Sequence, residues 1–137
     1  NEPEVIGDFV FIGDTLVNYT GSDSEVILPE NHNGESYKLY ETFRGNDSIT
    51  SVTIPESVTS ISGSAFFYCT SLASVTIPDS VTTIEGFAFG ECSNLSAFYG
   101  KGATADNRAL ILNNEIVSRD NKYIEFLKPP EKIIITH

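Results

Sequence analysis

Apolar positions recur through the middle of the chain at a fixed spacing. Residues 51–66 read SVTIPESVTSISGSAF and residues 74–89 read SVTIPDSVTTIEGFAF, an offset of 23. Leu72, Val75, Ile77, Pro78, Val81, Ile84, Ala88, Phe89 and Cys92 have counterparts 23 residues earlier at Ile49, Val52, Ile54, Pro55, Val58, Ile61, Ala65, Phe66 and Cys69. A third copy starts at Leu95, keeps Phe98 where the others have valine, and diverges at Gly100. Within a unit, Val75 and Ile77 alternate with Ser74 and Thr76, the period of a strand with one buried face. Pro78 has no N–H to give a ladder and ends that strand. Val81 and Ile84 predict a second extended run on the opposite side. Residues 85–92 are too few for a helix and predict a tight turn that tucks in Ala88 and Phe89. A period of this length marks a solenoid. One unit cannot bury its apolar face alone, so each coil becomes the lid of the next. The strands of successive coils are expected to pair in parallel.

The flanks follow the same logic less regularly. Phe9–Ile12 and Thr15–Tyr19 are β-rich runs around Gly13-Asp14, which predicts a hairpin. It precedes the repeats, where a solenoid needs a cover for its first coil. Residues 1–4 are expected to fray and residues 21–25 to turn. Val26-Ile-Leu-Pro29 aligns with Val52-Thr-Ile-Pro55, but at a spacing of 26. The surplus is assigned to residues 31–36, a polar loop containing Gly34. Phe43 falls on the Phe66 and Phe89 position, and Asn46 replaces the cysteine. After Phe98, Ala109–Leu112, Asn113-Asn114 and residues 115–118 predict a second hairpin. Residues 123–127 and 133–136 predict further strands around Pro129 and Pro130. The expected layout is a single domain over 1–137. A hairpin cap occupies 5–25, the repeats 26–99, and a C-terminal cap or truncated array end 100–137.

Leu72-x-x-Val75-x-Ile77 has the L-x-x-L-x-L spacing of a leucine-rich repeat. The predicted fold class is a β-rich leucine-rich-repeat solenoid of about three 23-residue coils with hairpin-like N- and C-terminal caps. The strings SVTIPESVTSISGSAFFYCTSL and SVTIPDSVTTIEGFAFGECSNL carry a closer likeness. They resemble the BspA-like leucine-rich repeats of bacterial surface proteins. Residues 16–29 and 98–112 resemble the family's flanking segments, so the likeness covers most of residues 9–118. It implies a right-handed solenoid, export with removal of a signal peptide, and an extracellular or cell-surface location. It also implies binding to host or partner proteins, including adhesion. Residues 119–137 match less well, with Pro129, Pro130 and an isoleucine run where another repeat is expected.

Charge narrows the partners. The net charge of −11 is spread as −8 over residues 1–48, −4 over residues 49–99 and +1 over residues 100–137. Residues 49–99 hold four acids and no lysine or arginine. With no basic patch, neither nucleic acid nor an anionic lipid surface is an expected partner. No run of about 20 apolar residues predicts membrane insertion. The acidity reads as a solubility device for a flat repeat surface, with steering of a basic partner as the sharper alternative. The chain has no methionine, from which it is expected to begin after a removed segment.

Catalytic chemistry, cofactors and metals are not expected. His32 lies in the irregular loop and His137 is the last residue, so both are expected to be solvated. Two histidines alone do not build a zinc site. Gly100-Lys101-Gly102 lacks the upstream glycine and the following Ser or Thr of a phosphate loop. Ser62-Gly63-Ser64 lacks the pattern of a hydrolase elbow. Cys69 and Cys92 share one repeat position. Adjacent coils lie ~4.8 Å apart, slightly long between Cβ atoms for a relaxed disulfide, so a pair of buried thiols is preferred. The candidate partner site is the outward face of the first strands: Ser51, Thr53, Ser74, Thr76, then Ala97 and Tyr99. It reads as a flat column of small hydroxyls ending in an aromatic anchor. Residues 31–36 are a second candidate. The functional reading is a non-catalytic protein-binding module, monomeric in isolation. The alternatives are a structural spacer or capping fragment and, more weakly, a carbohydrate binder using Tyr19, Tyr37, Tyr40 or Tyr99.

Overall fold

Two stacks of short strands enclose one apolar core. The computed structural model describes residues 2–85, 87–112 and 115–119. The chain opens with β1 (Glu4–Ile6), β2 (Phe9–Ile12) and β3 (Thr15–Tyr19), which pair antiparallel. It then alternates between two sheets through β4 (Glu25–Ile27), β5 (Tyr37–Tyr40), β6 (Ser51–Thr53), β7 (Val58–Ser62), β8 (Ser74–Ile77), β9 (Thr83–Ile84) and β10 (Ala97–Gly100). The front sheet runs β10-β8-β6-β4 and is parallel throughout. The back sheet runs β1-β2-β3-β5-β7-β9 and is parallel from β3 onward. A last hairpin joins β11 (Ala109–Leu112) to β12 (Glu115–Arg119).

This is the predicted β-solenoid, with four turns where the repeats suggest about three. The extra turn comes from the N-terminal hairpin. Its second strand, β3, is also a back strand, with Leu16 beside Leu39. Glu4, expected to fray, pairs with Phe11 in β1. The 26-residue spacing has a local cause. Ten residues separate Pro29 from Leu39, against six from Pro55 to Ile61. Four separate Leu39 from Phe43, against five from Ile61 to Phe66. The insertion folds as a small loop in which His32 and Glu35 form a bridge and Asn31 Oδ1 accepts the Gly34 N–H at 2.8 Å.

Register explains the core. Val26, Val52, Val75 and Phe98 occupy one row of the front sheet and point inward. Leu16, Leu39, Ile61 and Ile84 face them from the back sheet. The turns form a third wall. Phe43 N–H donates to Ala65 O and Phe66 N–H to Ala88 O, both at 2.7 Å. Their rings stack: Phe43 on Phe66 at 5.3 Å and Phe66 on Phe89 at 5.2 Å, with Tyr19 extending the row at 5.6 Å from Phe43. Each such pair contributes about 0.5–1.5 kcal/mol beyond its area burial. Thr42 replaces the alanine of later coils. Its buried hydroxyl donates to Leu16 O at 2.6 Å and accepts from Tyr40 N–H at 3.1 Å, so the polar group is satisfied.

The outer edge of β10 is occupied by Asn107. Phe98 N–H donates to Asn107 O, and Asn107 Nδ2 donates back to Phe98 O, each at 2.9 Å. One residue thereby holds the place of a further strand and blunts an edge open to pairing. The Asn113-Asn114 turn and the strands expected in 123–136 lie outside the described residues.

Candidate functional site

The front sheet positions the face singled out from the sequence. Its in-register pairing makes two outward columns: Glu25, Ser51, Ser74 and Ala97, and beside it Ile27, Thr53, Thr76 and Tyr99. Parallel neighbours lie ~4.8 Å apart, so four strands span roughly 14 Å. Thr53, Thr76 and Tyr99 are exposed, whereas Ser51 and Ser74 are half-buried. The five candidate residues are therefore brought together, with the threonines and tyrosine foremost. Ile27 was missed. It is 73% exposed and closes the end of the column opposite Tyr99, which is 44% exposed. The signal existed, because Val26-Ile-Leu-Pro29 aligns with Val52-Thr-Ile-Pro55. The hydroxyl pair is thus bracketed by two apolar ends.

The second candidate, the inserted loop, is tied into the fold instead. His32 is 9% exposed, not solvated as expected. Its ring lies flat on Phe11 at 3.9 Å with a 4° interplanar angle, and Nε2 sits 2.9 Å from Glu4 Oε1. Asn33 Nδ2 reaches the same two atoms at 3.3 and 3.4 Å. The reason is tertiary: β1 and β2 bring a carboxylate and a flat ring to a loop more than 20 residues away. His137 lies outside the described residues. Tyr19 and Tyr37 are buried and leave the list of sugar-binding aromatics.

Besides a pocket of about 210 Å³ lined by Phe9, Tyr19, Glu25 and Ile27 among others, the described residues include two larger concave sites. A groove of about 300 Å³ on the back sheet is lined by Ile12, Thr15, Val17, Lys38, Leu39, Tyr40 and Ser62. Lys38 Nζ there lies 3.6 Å from Asp14 Oδ2. The Thr15 hydroxyl, then Lys38, hold the Asp14 carboxyl below its usual range. A cleft of about 460 Å³ lies between β9 and the last hairpin, lined by Ile84, Glu85, Leu112 and Val117 among others. Neither lining contains histidine or cysteine. Among the described residues, no three His, Cys, Asp or Glu side chains cluster to hold a metal. No helix there is long and apolar enough to cross a membrane.

Cys69 and Cys92 are free and buried. Each thiol donates to a carbonyl of the previous coil, Cys69 to Phe43 O at 3.1 Å and Cys92 to Phe66 O at 3.0 Å. The neighbouring Cys92 sulfur and burial push the Cys69 thiol up, away from the reactive thiolate. Lys101 is engaged too: Nζ donates to Val81 O at 2.7 Å and Asp79 O at 3.3 Å.

A family model described as BspA type leucine rich repeat region (6 copies) matches residues 39–105. Over residues 39–105 the chain carries BspA-type leucine-rich repeats. A solved leucine rich cell surface protein from Faecalibacterium prausnitzii A2-165 is similar at 32% identity with a TM-score of 0.61, over 70% of this chain and 30% of that one. A solved T. pallidum leucine rich repeat protein shares the fold at 24% identity and a TM-score of 0.60, over 80% of this chain and 55% of that one. The chain therefore spans less than two thirds of either relative. No curated protein matches it. In this BspA-type array the motif explains the buried rows and the Ser and Thr of the two central front strands, while the exposed columns change at their ends, to Glu25 and Ile27 on one side and Ala97 and Tyr99 on the other.

Proposed function

We propose that this chain is a non-catalytic protein-binding module, displayed at a cell surface or secreted, that takes a protein partner on its front sheet. The observation that carries the reading is the outward column Ile27, Thr53, Thr76 and Tyr99, in register across four strands. Small hydroxyls between two apolar ends offer hydrogen bonds with little desolvation cost, and tyrosine is a favoured binding anchor. The face is poor in charge, with Glu25 at one corner. The surface location is drawn from the F. prausnitzii relative, which is described as a cell surface protein. Ser51 and Ser74 support the column from the half-buried row beside it.

The test is surface plasmon resonance of the full chain, as a monomer checked by light scattering, against extracellular-matrix proteins, host-cell surface proteins and glycans. A variant carrying Thr76→Lys and Tyr99→Ala is run beside it. Saturable binding to a protein that falls about ten-fold or more in the variant is expected. Binding that survives moves the site away from the front sheet. Folded protein that binds nothing favours the structural spacer, and glycan binding favours the carbohydrate reading.

A further inference from the structure

The turns that close each coil also form a ridge, remote in repeat position from the front strands, and one stretch of it is aromatic. Arg44, Phe67 and Gly90 occupy one repeat position at steps of 23. The Arg44 guanidinium carbon lies 5.8 Å from the centre of the Phe67 ring. Phe67 also rests against Gly90, where an added Cβ would come within 2.8 Å of the ring. Tyr68 packs edge-on against Phe67 at 4.7 Å and Phe87 does so at 6.4 Å. Tyr68 is 52% exposed and Phe87 72% exposed. Three touching rings beside an arginine have the composition of a binding hot spot rather than of a solvated turn.

The backbone supplies an independent sign. Gly45, Tyr68 and Glu91 share one repeat position, and all three have positive φ, at 75°, 62° and 56°. Glycine fits that conformation freely, and a bulky side chain is strained in it. The second coil nevertheless places tyrosine there, half in water. Strain of this kind persists where the side chain is used.

We propose that Arg44, Phe67, Tyr68 and Phe87 form a second docking surface, separate from the front sheet, for a protein segment that presents an apolar side chain flanked by lysine or arginine. The rings take the apolar side chain. The flanking charge follows from the rim. Glu91 stands next to Gly90, whose carbonyl accepts the Tyr68 N–H at 2.9 Å, and Glu85 lies two residues before Phe87. Residues 49–99 contain no lysine or arginine, and Arg44 is already balanced by Glu41 at 3.7 Å. Glu85 Oε1 accepts the Gly63 N–H at 2.8 Å and keeps its charge, so a basic flank meets two carboxylates that no lysine or arginine of residues 49–99 offsets, and an acidic one is repelled.

The test is fluorescence polarisation of the full chain with labelled synthetic peptides bearing a central Leu-Phe pair. The pair is flanked by Lys-Arg in one peptide, by Asp-Glu in a second and by serines in a third. The Lys-Arg peptide is expected to bind saturably and more tightly than the other two, and to weaken as salt is raised. Phe87→Ser, at an exposed position, and Tyr68→Gly, at a conformation glycine prefers, are each expected to cost about ten-fold or more. Glu91→Gln is expected to flatten the salt dependence. Thr76→Lys with Tyr99→Ala is expected to leave peptide binding unchanged, which separates this surface from the front sheet. No saturable binding up to about 1 mM, equal binding of all three peptides, or full binding by the Phe87→Ser chain overturns the proposal. Loss of glycan binding in the Phe87→Ser chain also overturns it, by assigning the ridge to sugars.

Discussion

Tyr37 shows how one side chain can link the inserted loop to the core. Its ring is buried edge-on against Phe11 at 5.2 Å, and its hydroxyl donates to Pro29 O. Burial raises the phenol well above its ordinary value of 10.0. A raised acid favours the folded state while it stays neutral. Its contribution is therefore complete below about pH 10 and is lost as pH rises beyond that toward the folded value. Urea denaturation between neutral and strongly alkaline pH should show stability falling above about pH 10. Tyr37→Phe should cost about 1 kcal/mol at neutral pH and flatten the alkaline decline. His32 makes the same point about context. A histidine in a polar insert reads as solvated, but stacking on Phe11 and pairing with Glu4 depend on two strands far away in sequence.

At the scale of elements, short strands persist because each is sandwiched between neighbours. The front strands have three or four residues each, below the length at which a hairpin stands alone. The terminal strand is therefore the weak point, and β10 is held by Asn107 on its outer side. Asn107 sits at φ 61°, a conformation asparagine tolerates better than most residues. Asn107→Ala removes the hydrogen bond to Phe98 O and adds strain, and should cost about 1–3 kcal/mol by chemical denaturation. Asn107→Gly loses only the hydrogen bond and should cost less. Equal losses would show that strain plays no part. The third wall, the turn ridge, follows the same rule. The N–H groups of Phe43, Gly45, Phe66 and Tyr68 pair with carbonyls of the next coil, so a strained Tyr68 is carried by its neighbours.

For the whole molecule, contacts run between adjacent coils, so stability is close to a sum of coil and interface contributions. Deleting residues 51–73 joins Thr50 to Ser74 and removes one period without disturbing register. That chain should fold with the same circular-dichroism signature and a lower Tm. A deletion one residue shorter turns every later inward side chain outward at the junction and should fail to fold cooperatively. The front face and the ridge both follow from this one-dimensional stacking, since each column of side chains is one repeat position read along the array. The 23-residue period, the alternation of Val75 and Ile77 with Ser74 and Thr76, and the matched Phe43, Phe66 and Phe89 were enough to fix the coil, the parallel pairing and the core rows. Repetition carries this information because equivalent positions must share an environment. The same reasoning found the Thr53, Thr76 and Tyr99 column and could have extended it to Ile27. It could not find β3 as a back strand, because Thr15–Tyr19 lacks the Ile-Pro motif and joins the stack only through Leu16 beside Leu39. Nor could it find the grouping of Arg44, Phe67, Tyr68 and Phe87. These residues occupy three different repeat positions, and only the winding of the chain decides which unlike positions of neighbouring coils meet on one side.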